Sequence, residues 1–333
     1  MKSQSSKKLK MLGLPIIQNL EDFSQLLHIS KFTIYQLSAN ADKHYKLYDI
    51  PKKAGGYRLI CQPNRKLKII QSWILSNILE KLKVSDSCKG FQKKTSIVDN
   101  VQPHKDANCV MNIDLKDFFP SIKRKQVFFI FYSIGYNSFI SNILSNICLY
   151  KDFLPQGSPC SPLLANLAVW DLDSRIQGFV GRRGITYTRY ADDLTFSALN
   201  PQRLMNILPT IKLIIEDEKL EINNKKTRVS GAARCKKVTG LVIDNGSFGI
   251  GKVKYNKLRS LTFHLVKDTE QKVISRISEV QGWLSYLNVV DEKRCRDLIK
   301  FINSLKIKFP DTLVSQIKLP TASKNIPFTG PRL

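Results

Sequence analysis

The chain has 333 residues, 43% of them apolar, enough for two or three packed subdomains. Lysine and arginine total 53 against 27 acidic residues, and the formal charge of +26 suggests a polyanionic partner, because cations that neutralise phosphates release counterions. No stretch approaches the roughly 20 apolar residues of a membrane span, and the seven cysteines, far apart and without a Cys-x-x-Cys, suggest neither a zinc site nor a disulfide framework and fit reduced thiols in a cytoplasmic protein.

In chain order, Lys2, Lys7, Lys8 and Lys10 precede an apolar stretch at 12–17 that is too short and Pro-broken for a signal-peptide core. Residues 19–40 read as helical. Residues 45–57 suggest a hairpin around Lys52-Lys53-Ala54-Gly55-Gly56, with Tyr57-Arg58-Leu59-Ile60-Cys61 returning. Leu67, Ile70, Ile74, Ile78 and Leu82 share one helical face. Cys109-Val110-Met111-Asn112-Ile113-Asp114 is an apolar run that ends in a carboxylate, the pattern of a buried strand. Ser121 then reads as the N-cap of a helix carrying Val127, Phe128 and Ile130, and Asp117 as a helix-start acid. A loop at 155–162 leads into a helix near 163–176.

Two short strand-like runs, 184–189 and 194–197, flank Tyr190-Ala191-Asp192-Asp193, so the acidic pair is expected at a hairpin tip. An isolated Asp-Asp is more often a solvated turn. With Asp114 brought beside it, the trio suits hard divalent cations. Two Mg²⁺ ions about 3.5–4 Å apart would serve in-line phosphoryl displacement, one activating a hydroxyl and one steadying a triphosphate and its pyrophosphate. Residues 225–259, just downstream of the acidic pair, hold ten Lys or Arg and a single acid, Asp244, a concentration of charge that favours nucleic acid. Val238-Thr239-Gly240-Leu241-Val242-Ile243 reads as a strand, and Asp244-Asn245-Gly246 as a tight hairpin turn before Phe248-Gly249-Ile250. Ile277, Val280, Leu284 and Leu287 form one helical stripe, and the tail from Pro320, with Pro327 and Pro331, reads as loose.

Phe118-Phe119 after Asp114, then Leu154-Pro155-Gln156-Gly157-Ser158-Pro159, then Tyr190-Ala191-Asp192-Asp193 stand in the order used by reverse transcriptases, which the chain resembles from about residue 12 to about residue 283. More narrowly, Asn100-Val101-Gln102-Pro103-His104 and Val238-Thr239-Gly240 resemble two signatures of bacterial retron reverse transcriptases, although Val101 stands where the first signature has Ala. The resemblance implies an α+β right-hand polymerase fold: N-terminal helices and fingers over 1–105, a palm with an antiparallel sheet and interleaved fingers segments over 106–245, and a short, basic helical thumb with a C-terminal tail over 246–333.

The same resemblance implies roles. Asp114, Asp192 and Asp193, with the Leu115 backbone, would hold two Mg²⁺ ions. Lys226, with Lys225 as its alternative, would protonate pyrophosphate. Arg58, Phe119, Gln156 and Ala191 would bind the deoxynucleoside triphosphate. Arg58 would fork onto phosphate oxygens, helped by Lys52 or Lys53. Phe119 would close the space of a ribose 2′-OH, while Phe118 reads as core. Gly157 would allow close backbone approach beside Gln156. Val238, Thr239 and Gly240 would lie under the primer terminus, and Lys252, Lys254 and Lys257 would hold primer or RNA. Asn100 and His104 read as RNA-contacting or structural.

Implied partners are a structured noncoding retron RNA (msr-msd) primed from a guanosine 2′-OH, its cDNA and an effector protein, in a bacterial cytoplasm and in antiphage defence; no membrane is expected. Three alternatives remain. One is a catalytically silent RNA-binding protein of the same fold, which the intact aspartates disfavour. The others are a group II intron-like enzyme, whose extra segments would not fit this length, and a diversity-generating relative.

Overall fold

The computed structural model describes residues 2–52, 55–231, 235–244, 246–267 and 273–320, without the side chains of 2–5 and 273–275. Lys53, the turn residue Asn245, and Pro327 and Pro331 of the tail lie outside the described residues.

Three helices open the chain, α1 (Lys2–Met11), α2 (Leu20–Leu27) and α3 (Lys31–Ala39). The helix expected over 19–40 is therefore broken. His28 closes α2 in the left-handed region (φ 54°), and the Ser30 hydroxyl accepts from Thr33 N at 3.2 Å to start α3. A hairpin of β1 (Tyr45–Pro51) and β2 (Tyr57–Pro63) stands out with most of its residues exposed, and α4 (Arg65–Asn77) follows. Leu67, Ile70, Ile74 and Ile78 are fully buried as their spacing predicts; Leu82 lies past the helix end and is half-buried.

The palm is a sheet centred on β3 (Cys109–Lys116), after the short α5 (Ile97–Val101). Helices α6 (Phe118–Ser121), α7 (Arg124–Ile134), α8 (Ser138–Cys148), α9 (Ser161–Ala168) and α10 (Trp170–Gly181) pack beside it, followed by β4 (Thr186–Tyr190) and β5 (Asp193–Ala198). Next come α11 (Pro201–Asp217), β6 (Glu221–Ile222) and β7 (Arg228–Ser230). The antiparallel order is β4-β5-β3-β6, with β7 also pairing with β3. Ser121 is not a cap: it ends α6, its hydroxyl donating to the Asp117 carbonyl at 3.0 Å, and α7 starts at Arg124. Asp117 does begin a helix, at the N-cap of α6, with φ 44°. The helix expected near 163–176 is interrupted at Val169, where the backbone leaves helical geometry between α9 and α10.

One face of β3 is wholly apolar and the other carries Asn112 and Asp114 beside Val110, and each face meets a core. Cys109, Met111, Ile113 and Leu115 enter the large core shared with the fingers helices. Val110, two and four residues from Asn112 and Asp114 and so on their face of the strand, joins a second core. That second core contains Val101 together with Val238, Leu241, Ile243 and the apolar faces of α12 (Lys252–His264), α13 (Val273–Val290) and α14 (Glu292–Lys308). Ile277, Val280, Leu284 and Leu287 are all buried there, as their stripe predicts. A small sheet, β8 (Lys236–Val238), β9 (Leu241–Asp244) and β10 (Ser247–Gly249), belongs to the same unit. The boundary expected at 245/246 therefore falls inside the β9–β10 hairpin, and Val238 already packs with the thumb.

Candidate active site

Asp114 on β3 is the register partner of Asp193, the first residue of β5. Asp192 occupies the two-residue tip between β4 and β5, and its carbonyl accepts from Leu115 N at 2.9 Å. Asp114 thus meets the adjacent pair Asp192-Asp193, far along the chain, at one end of neighbouring antiparallel strands. Burial pushes Asp192 above the ordinary carboxylate range, and the Asp114 charge adds to this against the weaker pull of Lys226 and Arg58. Asp193 is pushed up to about 6, by burial first and then by the charges of Asp192 and Asp114. Such mutual repulsion is what a divalent cation relieves.

The trio is not a finished cage. Among the described residues, no three acidic, histidine or cysteine side chains are gathered closely enough to hold a metal ion. Both oxygens of Asp114 are already engaged: Oδ1 accepts from Lys226 Nζ at 2.8 Å and Oδ2 from Asn223 Nδ2 at 3.2 Å. Of the two neighbouring lysines it is Lys226 that reaches the site, and the hydrogen bond to Asp114 holds its ammonium above the ordinary lysine range. The donor set itself, three carboxylates and backbone carbonyls, is oxygen-only and suits Mg²⁺. Asp114 would join that set only by giving up its hydrogen bond to Lys226.

The proposed nucleotide-binding residues surround this end of the sheet. Arg58 is exposed on β2, and its charge is felt at Asp192; Lys52 is exposed at the same hairpin. Cys61 N donates to the Gln156 carbonyl at 2.7 Å, and a Cβ on Gly157 would come within 2.8 Å of the Cys61 carbonyl. The loop at 154–157 therefore seats directly on β2, as the glycine implies. The Gln156 Oε1 is buried with no partner. Phe118 is core, whereas Phe119 is half-buried, with Phe91 at 6.0 Å between ring centres; Phe91 in turn lies 6.4 Å from Tyr190. Ala191 is buried and left-handed (φ 57°).

Several expectations for the nucleic-acid side are corrected. Val238-Thr239-Gly240 is not a strand: Val238 pairs with Leu241, and Thr239 (φ 45°) and Gly240 (φ 81°) form the two-residue turn between β8 and β9. The Val238 side chain is fully buried in the second core, whereas Thr239 is half-buried and Gly240 exposed. His104 is fully buried, with Nδ1 2.6 Å from Ser197 Oγ and Nε2 2.8 Å from Thr188 Oγ1. Both ring nitrogens are engaged, so its role is structural, cross-bridging β4 and β5. Burial holds its pKa down to about 4. Asn100 is also fully buried, and its Nδ2 donates to Thr239 Oγ1 at 3.0 Å. Lys252, Lys254 and Lys257 are exposed on α12, with Lys254 Nζ donating to the Gly240 carbonyl at 3.2 Å.

Four residues escape the sequence reading. Asn223 lies within the Asn223-Asn224-Lys225-Lys226 run, but nothing in it singles out which amide faces Asp114. Gly90 packs behind the tip, where a Cβ would lie 2.9 Å from Ala191 N. Arg189 and Asp173 form a fully buried ion pair at 2.7 Å.

Residues 50–243 match the reverse transcriptase (RNA-dependent DNA polymerase) family. Retron Ec86 reverse transcriptase of Escherichia coli is 45% identical over 313 residues, 93% of this chain and 97% of that protein. Retron Ec73 reverse transcriptase of the same species is 31% identical over 74% of this chain and 83% of its own length. Retron Mx65 reverse transcriptase of Myxococcus xanthus is 29% identical over 88% and 73%. With its right-hand α+β fold and its aspartates assembled at one end of the palm sheet, the chain belongs to the reverse transcriptase family, as an RNA-directed DNA polymerase of the retron type.

Proposed function

We propose that this enzyme reverse transcribes part of a structured noncoding RNA, primed from an internal guanosine 2′-OH of that RNA, and leaves a branched RNA–DNA hybrid. The observation that carries the chemistry is the cross-strand pairing of Asp114 with Asp193 beside Asp192. Those three side chains, with the Leu115 backbone, are the ones that would hold two Mg²⁺ ions. When bound, the ions supply hydroxyl activation and charge neutralisation at the phosphates.

The chain's own residues do the rest. Lys226, whose Nζ lies 2.8 Å from Asp114 Oδ1, would give its proton to the departing pyrophosphate. Arg58 offers a planar fork to triphosphate oxygens. Gln156 and Ala191 form the wall against which the sugar and base pair settle. Phe119, backed by Phe91 and Phe118, fills the space of a 2′-OH and so selects deoxynucleotides. Thr239, Gly240 and the α12 lysines supply the primer and RNA side. The family resemblance of the motifs extends the reading to action in the cytoplasm, beside an effector protein, in antiphage defence.

The test is to sequence the RNA that copurifies with the protein after incubation with Mg²⁺ and deoxynucleotides. A covalent 2′,5′ branch carrying cDNA supports the reading. Extension without a branch points to a diversity-generating relative, and no synthesis at all to a silent RNA-binding protein.

A further inference from the structure

Arg189 is the fourth residue of β4, and both it and Asp173 on α10 are fully buried. A guanidinium is tolerated in such a place only when its donors are met. Here they divide between two tasks. Nε and Nη2 fork onto Asp173 Oδ1 and Oδ2 at 2.8 and 2.7 Å. Nη1 turns away, to the Ala191 carbonyl at 3.1 Å and Asn166 Oδ1 at 3.0 Å. Tyr187 donates its hydroxyl to Asp173 Oδ1 at 2.8 Å, and Asn166 Nδ2 donates to the Gly90 carbonyl at 2.9 Å.

A buried guanidinium needs partners for Nη1 as well as for the fork, and one of those it finds is the Ala191 carbonyl. The donor sent to Ala191 reaches the catalytic tip. Ala191 has a left-handed backbone, which a residue with a Cβ keeps only when its surroundings over-determine it. Arg189 Nη1 holds the carbonyl on one side of the Asp192 Cα, and Leu115 N holds the carbonyl on the other. Gly90 closes the back of the tip, where no Cβ fits. With both flanking peptide planes anchored, the direction in which Asp192 projects its Cβ toward the site is set by the backbone.

We propose that Arg189 is a positioning residue for DNA synthesis: through Nη1 it holds the Ala191–Asp192 peptide so that the Asp192 carboxylate is aimed at the divalent cation, without itself touching substrate. The proposal rests on the carboxylate–metal reading above.

Two variants separate aim from fold. Arg189→Lys keeps the charge facing Asp173 but cannot fork and reach Ala191 together. Arg189→Met combined with Asp173→Asn removes the donor to Ala191 without stranding a buried carboxylate. Each is measured by thermal melting, RNA affinity, Mn²⁺ binding by electron paramagnetic resonance, and primer extension against deoxynucleotide concentration. With melting and RNA affinity near wild type, kcat is expected to fall about 10- to 100-fold and the Mn²⁺ Kd to rise about tenfold, the usual range for a lost orienting partner, while the nucleotide KM stays within about threefold. Wild-type kcat and Mn²⁺ binding in both folded variants would overturn the proposal, and so would loss of the fold in both, which would make the pair structural. If the wild-type protein itself binds no Mn²⁺, the metal reading fails separately, and a fall in kcat in Arg189→Lys still supports a role in aiming Asp192.

Discussion

Asn100 and Thr239, 139 positions apart, are joined by a 3.0 Å hydrogen bond from Nδ2 to Oγ1. The bond links α5 beside the palm to the turn of the β8–β9 hairpin, and so connects the two signatures that mark the chain as retron-like. It also braces a strained residue, since Thr239 is β-branched yet has φ 45°. The other side-chain atom of Asn100, Oδ1, is buried and unpartnered.

Asn100→Ala removes one hydrogen bond, worth about 1 kcal/mol, but also removes the orphaned Oδ1, so the net change in stability should stay within about 1 kcal/mol. The larger effect is expected on binding. With the turn unbraced, affinity for the copurifying RNA should fall several-fold, while extension of a generic primer–template changes little. Filter binding beside a standard extension assay checks this, and equal losses in both would mean that the bond serves the fold alone.

Asp192→Asn should reduce DNA synthesis by at least about a thousandfold, because a neutral amide neither draws a hard cation nor offsets charge in phosphoryl transfer. RNA affinity should be retained, since Asp192 adds only negative charge there. Substantial residual extension by a homogeneous preparation would contradict the assignment.

Replacing Lys252, Lys254 and Lys257 together with Ala should weaken RNA binding and flatten its dependence on salt. If each contacts one phosphate, the slope of log K against log[salt] should shrink by roughly 2 to 3. Lys254 also supports the Gly240 carbonyl, so Lys254→Ala should cost more affinity than its charge alone accounts for. An unchanged slope would place the RNA elsewhere.

His104 predicts a pH dependence of stability. Its folded pKa of about 4 lies below the unfolded value of 6.5, so between these pH values the unfolded chain binds the extra proton. Stability from the neutral ring is fully present above pH 6.5 and is lost as pH falls toward 4, by about 3 kcal/mol in all. Asp193, pushed up to about 6, works in the opposite direction, so the informative quantity is the difference between wild type and His104→Gln. Denaturant titrations at pH 7 and pH 4.5 should show the wild type losing more stability than the variant. Parallel losses would mean that the ring titrates normally.

The residues legible in the sequence are those whose signal is local. Asp114 ends an apolar run, Asp192 and Asp193 sit between two strand-like runs, and the spacing of Ile277, Val280, Leu284 and Leu287 marks a helix face. What was not legible depends on partners far along the chain. Arg189 in Thr186-Tyr187-Thr188-Arg189-Tyr190 reads as a solvated strand position, and only Asp173 on another element makes its burial tolerable. Val238-Thr239-Gly240 has strand composition, and its reversal of direction requires a left-handed Thr that propensity disfavours. The breaks at His28 and Val169 involve neither Gly nor Pro, so capping and packing decide them. Asn100 and His104 were left open between RNA contact and structure because burial is invisible in a motif.

Val110 and Val101 pack with the C-terminal helices rather than with the rest of the palm. The chain therefore offers no clean cut point for a minimal polymerase. An engineered truncation ending ahead of Lys236 would strip the apolar cover from the strand that bears Asp114, four residues away from it. The C-terminal lobe is mortared into the strand that carries Asp114, so slackness in that lobe is felt at the aspartates.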